Sequence, residues 1–380
     1  MTVDLDGADA LLLIGDSERN TDLYYATRFR APDPFVFAWT RRDKILLIGN
    51  LELDRARSQA AVDQVLPSAQ YEKKLHDQGL ENPAFRDVVL AFLVDLELKN
   101  LQVPADFPLQ MADSLRQAGI QLKIAPTPLF PQRQIKTASE VDALRRAMRA
   151  TEQGMQVAVE TIKSAQVRDQ TLYWEGEVLT SERLRQMIHL QLLQLDCLGQ
   201  HTIVAGGTDG CDPHQEGSGP LRVGEPIIID IFPRETASGY FGDITRTICK
   251  GTAPGALRSL YDVVHRGQQL ALEQICDGAE GRQIHQAIQN LFVQAGYETG
   301  EKNGRMQGFF HSTGHGLGLD IHEAPRIGPR GDVLKSGQIV TVEPGLYYPD
   351  LGGGVRIEDV VLVQRDGCDN LTTFPKFLEV

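Results

Sequence analysis

Long runs of basic residues are missing from this chain. Its 380 residues include 38 Lys and Arg against 51 Asp and Glu, which gives a formal net charge of −13. Nucleic acids and anionic membranes bind proteins mainly through clustered Lys and Arg side chains. The composition therefore argues against both as partners.

Cysteine and long hydrophobic stretches are also scarce. The apolar run at residues 11–14 is too short for a signal sequence or a membrane span. Scattered cysteines, odd in number and without a CxxC pair, are typical of reduced thiols in a cytoplasmic protein. We therefore expect a cytoplasmic protein without a membrane partner. The cysteines are Cys197, Cys211, Cys249, Cys276 and Cys368.

The length and the order of the patterns predict two domains, since 380 residues are many for one core. ALLLIG, PFVFAW and KILLIG are typical of strands. Residues 53–62, 83–96 and 109–119 have helical patterns, so we predict an α/β domain over residues 1–130. A proline-rich passage, APTPLFPQ, marks its end.

Residues 131–380 predict a second domain of the α+β class. A long helix should begin at Ser139, with Asp142 as the partner in a capping box. Further helices are expected near residues 182–198, 256–275 and 284–295. Strands and glycine-rich turns dominate the C-terminal part.

Two pairs of carboxylates occur in hairpin-like segments of the second domain. In IIIDIFPRETASGYFGDITRT, pairing Asp230 with Asp243 centres the turn between residues 236 and 237. Pairing Glu343 with Glu358 centres another turn between residues 350 and 351, within YYPDLGGG. Directly opposed residues of a hairpin share a face. Each hairpin is therefore predicted to present two carboxylates together.

His315, in the glycine-rich segment HSTGHGLGLDIHE, is the candidate fifth member of this cluster. Crowded carboxylates raise one another's pKa values, and two divalent cations would keep all of them ionised. Taken singly, each acid is more often an ordinary solvated side chain. Asp230 argues against that reading because it follows three Ile in a strand that should be buried, where an unpaired charge is costly.

Further histidines accompany these segments. His214 lies in a loop before the first carboxylate strand, where it is a candidate hydrogen-bond donor to a substrate. His311 and His322 flank His315, but this spacing is not a zincin motif, because HExxH is absent and the glycines disfavour a helix. No functional role is assigned to His76, His189, His201, His265 and His285.

Arg356 stands two residues from Glu358 and should share its face. A guanidinium there would orient a carboxylate ligand or bind a carboxylate of the substrate. A surface ion pair is the alternative.

The segments FGDITRT, STGHGLGLDIHEAP, TVEPGLYY and VRIEDVVLV follow one another along the chain. Together they resemble the pita-bread metallopeptidases, which include methionine aminopeptidase, aminopeptidase P and prolidase, over residues 135–380. The N-terminal segment TDLYYATRF resembles the creatinase-type domain of the proline-specific members. The resemblance implies an α/β creatinase-like domain before an α+β pita-bread catalytic domain, and an Xaa-Pro peptidase.

The same resemblance implies a role for each candidate residue. Asp230 would bind one metal ion, His315 and Glu343 the other, and Asp243 and Glu358 would bridge both. Glu343 would also shuttle the proton, Arg356 and Tyr347 would support the site, and His214, His311 and His322 would surround the substrate. The two Asp are 13 positions apart, two more than is common in the family, and an even difference preserves their facing.

The reaction implied is hydrolysis of the peptide bond preceding proline, with Mn²⁺ or Co²⁺ favoured and Zn²⁺ as the alternative. A compact chain without a large insertion favours a dipeptidase (prolidase) over aminopeptidase P, which takes longer peptides. A non-catalytic binding module and a metal-free creatinase-like hydrolase are disfavoured, because all five ligands are present. The resemblance further implies a homodimer and a small peptide substrate with proline in its second position.

Overall fold

The computed structural model describes residues 3–380. The chain divides into two compact units, Met1–Pro131 and Gln132–Val380. None of the helices among the described residues is long and apolar enough to cross a bilayer. The five cysteines are free thiols, as expected.

The N-terminal unit is a sheet with helices packed against it. The strands are β1 (Ala10–Gly15), β2 (Phe35–Thr40), β3 (Lys44–Ile48), β4 (Gln64–Pro67), β5 (Asn100–Val103) and β6 (Gln121–Ile124). The helices are α1 (Thr21–Thr27), α2 (Leu53–Gln59), α3 (Ser68–Asp77), α4 (Phe85–Asp95) and α5 (Leu109–Gln117). The sheet order is β4-β3-β2-β1-β5-β6, and buried side chains of β1, β2 and α4 share one core. The α/β prediction is confirmed.

Sequence patterns locate the long elements of this unit and miss the short ones. The three predicted strands are β1, β2 and β3, and the three predicted helices are α2, α4 and α5, each two or three residues shorter than expected. The patterns do not predict α1, α3 or the strands β4 to β6. Each of these strands has four residues, which is too few for an alternating pattern to show.

The helices of the C-terminal unit are α6 (Ala138–Ser164), α7 (Ser181–Gln194), α8 (Gly255–Gln274) and α9 (Gly281–Gln294). The predicted capping box of Ser139 and Asp142 is wrong. Thr137 is the N-cap: its hydroxyl oxygen accepts from Glu140 N at 3.4 Å, and its own backbone N donates to Glu140 Oε2 at 2.9 Å. Ser139 already lies inside the first turn, where it cannot cap the helix.

The strands of the C-terminal unit form several small sheets. They are β7 (Gln166–Arg168), β8 (Thr171–Trp174), β9 (Glu177–Val178), β10 (Cys197–Leu198), β11 (Ile203–Gly206), β12 (Pro226–Ile231), β13 (Arg234–Glu235), β14 (Ile244–Cys249), β15 (Gly300–Lys302), β16 (Arg305–Gln307), β17 (Gly314–Gly316), β18 (Glu323–Ile327), β19 (Ile339–Val342), β20 (Gly345–Tyr348), β21 (Gly353–Arg356), β22 (Asp359–Gln364) and β23 (Gly367–Asn370). Three sheets position the candidate residues: β11-β12-β14, β18-β17-β19-β22-β23 and β20-β21.

Helices flank these sheets in two separate cores. Apolar side chains of α6 and α7 pack with the isoleucines of β12 and β14. Those of α8 and α9 pack with the valines of β19 and β22. The strands that lead to the candidate residues are therefore buried, as their runs of Ile and Val predict.

The register predicted for the first carboxylate hairpin is wrong by two residues. Asp230 lies opposite Thr245 and not opposite Asp243. The turn centre lies one residue further along the chain than expected, between residues 237 and 238, where Glu235 N donates to Tyr240 O at 2.9 Å. Side chains alternate with a period of two residues, so a slip of two leaves both Asp side chains on one face.

The register predicted for the second hairpin is confirmed. Gly345 pairs with Arg356, and Val342 pairs with Asp359, on either side of the two glutamates. Glu343 and Glu358 themselves lie where β19 gives way to β20 and where β21 gives way to β22. The ladder is interrupted at both carboxylates, so their side chains lie at a shared break in the sheet.

Candidate metal centre and active site

The four acids of the two hairpins lie together at the floor of one cavity. Asp230 is in β12, Asp243 directly precedes β14, Glu343 directly follows β19 and Glu358 directly precedes β22. All four line a cavity of about 700 Å³, and their side chains are between 2% and 18% exposed. The structure therefore brings the predicted carboxylates into one buried place.

His315 completes this group. One ligand atom each from Asp243, His315 and Glu358 lies within 4.8 Å of the others. His315 Nε2 is 3.4 Å from Glu343 Oε1 and 3.9 Å from Asp243 Oδ2. The imidazole, on β17, thus faces the carboxylates that the two hairpins supply.

Crowding and burial change the protonation of these acids. Burial, followed by the charges of Asp230 and Glu343, raises the pKa of Asp243 well above its ordinary value. Burial and then the Asp243 charge do the same to the pKa of Glu358. Burial raises the pKa of Glu343 to about 8, despite the opposing effect of Arg356. Without a cation, the site cannot hold all of these carboxylates ionised at neutral pH.

His315 presents a lone pair to these carboxylates. Its Nδ1 lies 3.1 Å from the Gly316 carbonyl oxygen, which only accepts, so Nδ1 carries the proton and Nε2 is bare. Burial and then the neighbouring His322 lower the pKa of His315 to about 3, which keeps the ring neutral. A bare nitrogen repels ionised carboxylate oxygens, and a cation or a proton between them removes this repulsion.

Asp230 also has an unused ligand atom. Its Oδ2 accepts from Arg356 Nη2 at 2.7 Å, whereas Oδ1 is buried and has no hydrogen-bond partner among the described residues. A buried acceptor without a partner is costly, and a metal ion would satisfy it. Four carboxylates and one neutral imidazole are a donor set that fits divalent cations.

The comparison with known families decides what this cluster belongs to. Residues 142–365 match the metallopeptidase family M24.

The chain belongs to metallopeptidase family M24.

Relatives and solved structures agree with this membership. An Xaa-Pro dipeptidase of Pyrococcus horikoshii is 28% identical over 81% of this chain and 82% of that protein. The structure of an Xaa-Pro dipeptidase from Bacillus anthracis is 25% identical, with a TM-score of 0.82 over 98% of this chain and 96% of that one. An X-Pro aminopeptidase structure from Thermotoga maritima, at 22% identity, shows the shared fold alone, with a TM-score of 0.81 over 98% of both chains. The pita-bread fold, metal dependence and hydrolase chemistry follow from the family.

Arg356 is buried beside the carboxylates of this M24 site and donates hydrogen bonds to the residues around it. The side chain is 4% exposed, which excludes the surface ion pair considered for it. It donates to Asp230 Oδ2 at 2.7 Å, to Tyr347 Oη at 2.9 Å and to Thr245 Oγ1 at 3.3 Å. Thr245 Oγ1 in turn donates to Glu358 Oε2 at 2.8 Å. One guanidinium therefore orients two of the candidate ligands, directly and through a threonine.

His311 ends a second chain of hydrogen bonds that starts at Arg356. Because Arg356 donates to Tyr347 Oη, the phenol proton is free to go to His311 Nε2 at 2.9 Å. His311 Nδ1 lies 2.7 Å from the Ser312 carbonyl. Both ring nitrogens are therefore engaged within the protein, and burial lowers the pKa of His311 to about 3. His311 lines the cavity, but as a neutral partner of Tyr347.

His214 and His322 are the exposed histidines of the M24 cavity that sequence patterns singled out. The His322 ring lies 4.4 Å from that of His315 and nearly perpendicular to it. The next residue, Glu323, is held by Lys136 and by Arg133, whose Nη2 is 2.9 Å from Glu323 Oε2. This ion cluster anchors the segment that carries His322, while the ring itself remains open to the cavity.

Two further cavity residues have no signal in the sequence. Arg326 lies directly opposite His315 in the β17–β18 pair, across an irregular register that residue spacing does not predict. His201, to which no role was assigned, also lines the cavity. Its ring nitrogen Nδ1 lies 3.0 Å from Glu216 Oε1. Phe232, Phe310 and Ile321 supply apolar wall between these polar groups.

The glycines around His315 are explained by close approach. A Cβ at Gly314 would lie 1.9 Å from the Thr341 carbonyl oxygen, and one at Gly318 would lie 2.4 Å from Glu323 Oε1. The first contact is with the strand that leads to Glu343, and the second is with the carboxylate that anchors the His322 segment. A side chain at Gly314 would therefore push β17 away from β19, and one at Gly318 would displace the Glu323 carboxylate.

Proposed function

We propose that this chain hydrolyses the peptide bond preceding proline in Xaa-Pro dipeptides. The observation that carries the proposal is the meeting of Asp243, His315 and Glu358 ligand atoms within 4.8 Å, with Asp230 and Glu343 in the same cavity. Membership of family M24 and relatives named Xaa-Pro dipeptidases support it. The non-catalytic alternative would require loss of ligands, and all five are present.

The metal centre is proposed to hold two divalent ions, with Mn²⁺ or Co²⁺ favoured and Zn²⁺ as the alternative. Asp230 would hold one ion, His315 and Glu343 the other, and Asp243 and Glu358 both. When bound, such ions lower the pKa of water and polarise a carbonyl group.

Glu343 is proposed to carry the proton. The carboxylate is 18% exposed, faces the cavity and accepts from Thr341 Oγ1 at 3.5 Å. Burial raises its pKa to about 8, so it exchanges protons near neutral pH. It takes a proton from the attacking water and delivers it to the proline nitrogen, which must be protonated to leave.

His214 and His322 are proposed to contact the substrate, because both are exposed on the cavity wall. A neutral imidazole donates a hydrogen bond to the carbonyl oxygen as negative charge develops on it. Arg356 is proposed to orient Asp230, since the guanidinium and the carboxylate are buried together at 2.7 Å.

Arg326 supports the choice of dipeptides over longer peptides. Its guanidinium is exposed in the cavity, and within residues 3–380 it forms no ion pair. A free cation at this position suits the carboxylate of a C-terminal proline. A longer peptide has a neutral amide there and gains nothing from the charge.

Replacing Arg326 tests this recognition. In Arg326→Gln, KM for Ala-Pro is expected to rise about 10- to 100-fold, because a hydrogen bond to a charged group is lost. The KM for Ala-Pro amide should change little. Arg330→Gln, a nearby exposed arginine outside the cavity lining, is the matched control. Equal KM changes for the acid and the amide would contradict the assignment.

Comparing Ala-Pro with Ala-Pro-Ala tests the function itself. With Mn²⁺ present, the dipeptide is expected to be hydrolysed with the higher kcat/KM. A preference for the tripeptide would make the enzyme an aminopeptidase P. Absence of turnover on both peptides, with Mn²⁺ bound, would refute Xaa-Pro hydrolysis altogether.

The remaining expectations are proposals that rest on resemblance and composition. We propose that residues 1–130 form a creatinase-type domain, that the chain forms homodimers and that it works in the cytoplasm. Free thiols at all five cysteines support the last of these. Light scattering coupled to size-exclusion chromatography tests the dimer.

A further inference from the structure

Arg246 is the largest fully buried side chain in the described protein. It lies on β14, directly after Thr245, so the two side chains point to opposite faces of the strand. Thr245 contacts the carboxylate of Glu358, whereas Arg246 contacts its backbone. Two neighbouring residues of β14, on opposite faces of the strand, therefore hold the side chain and the backbone of Glu358.

Every N–H group of the Arg246 guanidinium has an acceptor. Nη1 donates to the carbonyl oxygens of Glu358 at 2.5 Å and Thr245 at 2.9 Å. Nη2 donates to Asp359 Oδ1 at 2.9 Å and to the Phe374 carbonyl at 2.6 Å. Nε donates to the Pro375 carbonyl at 3.1 Å. A buried charge is tolerated only when it is fully paired. Because the guanidinium is planar and its five N–H groups point in fixed directions, only one placement of the side chain reaches all of these acceptors.

Asp359, the partner of Arg246, is equally constrained. The residue is 0% exposed, and its second oxygen, Oδ2, accepts from Asn370 Nδ2 at 2.8 Å and contacts Lys376 Nζ at 2.5 Å. A buried polar network in which every member is satisfied is rigid. The network includes the residue that follows Glu358, and it fixes the backbone at that point.

The backbone around Glu358 needs this support because the sheet is interrupted there. β21 ends at Arg356 and β22 begins at Asp359, so residues 357 and 358 lie outside both ladders. The Glu358 backbone N donates to the Thr245 carbonyl at 3.0 Å, and its carbonyl accepts from Arg246. The Arg246 side chain therefore takes the place of a missing ladder contact.

We propose that Arg246 is a positioning residue for the metal centre: together with Asp359 it holds the Glu358 backbone so that the carboxylate is preformed for metal ions. This role rests on the proposed function, in which Glu358 is a ligand of both ions. Groups that orient metal ligands commonly contribute about 10- to 100-fold to metal affinity.

The test measures Mn²⁺ affinity by calorimetry on protein stripped of metal. Arg246→Lys, which keeps the charge but cannot serve five acceptors, is expected to weaken Mn²⁺ binding about 10- to 100-fold. Arg246→Gln, which also loses the charge, should weaken it more. Lys376→Met removes only one contact of Asp359 and should weaken Mn²⁺ binding less than Arg246→Lys. The Lys376→Met variant still tests the proposal if the Arg246 variants fail to fold.

Two controls separate positioning from loss of stability. Lys302→Met alters an exposed lysine–aspartate pair elsewhere in the same unit. Ile188→Val trims a fully buried side chain of α7 and lowers Tm. Both are expected to bind Mn²⁺ like the unaltered protein.

Unchanged Mn²⁺ affinity in Arg246→Lys and Lys376→Met would overturn the role of Arg246 while leaving the metal centre intact. Failure of the unaltered protein to bind Mn²⁺ would instead refute the metal centre, and the role of Arg246 with it. The kinetic readout is kcat for Ala-Pro at saturating Mn²⁺, which should fall in Arg246→Lys with little change in KM.

Discussion

Glu343→Gln is expected to lower kcat for Ala-Pro by about 10²- to 10⁴-fold, the range over which a positioned acid or base contributes. The substitution keeps the shape of the side chain and removes its ability to take a proton from water and give it to the proline nitrogen. Because Glu343 Oε1 lies 3.4 Å from His315 Nε2, the amide should also weaken binding of the metal ion that these two residues are proposed to share. The rate must therefore be measured at saturating Mn²⁺.

The metal content of each variant must be measured beside its kcat, because loss of metal alone would also lower the rate. Glu301→Gln, on an exposed strand of the same unit, should have the kcat of the unaltered enzyme. Asp243→Asn should lose turnover together with metal. A Glu343→Gln enzyme that binds a full complement of metal and keeps kcat within about tenfold would contradict the proton role of Glu343.

Removal of metal is expected to make stability depend strongly on pH. In metal-free protein the pKa values of Asp243, Glu343 and Glu358 are raised, to about 8 for Glu343. The folded state then binds these protons more tightly than the unfolded state, so the free energy of unfolding falls as pH rises towards the folded pKa values. Each unit of pKa difference corresponds to about 1.4 kcal/mol.

The measurement is Tm between about pH 7 and about pH 9, where histidines are largely neutral in both states. Tm of the chelated protein should fall across this range, whereas Tm of the Mn²⁺-loaded protein should fall less, because bound ions keep the carboxylates ionised. Glu358→Gln, which removes one titrating group, should flatten the chelated curve. A chelated protein whose Tm rises with pH would show that the pKa values of these acids are not raised in the folded protein.

The sequence is sufficient to bring the four candidate carboxylates together because each lies in a strand, or directly beside one, on either side of a turn. The second hairpin is predicted in register, and its turn lies within YYPDLGGG, where Gly352 N donates to Pro349 O at 3.0 Å. The first is displaced by two residues, because the bond between Glu235 and Tyr240 selects a turn that several polar residues in ETASGY would equally allow. Because side chains of a strand alternate between its two faces, a register error of two residues leaves both carboxylates on the same face, and they still meet.

The other residues that line the cavity are less predictable for a physical reason. Arg326 reaches the cavity through an irregular pairing between β17 and β18, and His201 reaches it from a loop with a positive φ of 56°. Neither arrangement leaves a periodic trace in the sequence. The sequence patterns miss Arg246 for another reason. Its contacts include the carbonyl oxygens of residues 374 and 375, which lie far along the chain, and no side-chain pattern encodes contacts with backbone oxygens.

The buried candidate ligands and the exposed groups of the cavity wall should be subject to different evolutionary constraints. Asp243 and Glu358 are locked between packed sheets, so almost any change there disturbs the core as well as the ions. Arg326, His201 and His322 are solvent-accessible, and a change at any of them leaves the core intact. Selection can therefore retune which peptides are accepted while the hydrolytic machinery stays as it is, and the cavity rim is where a laboratory search for new specificities should begin.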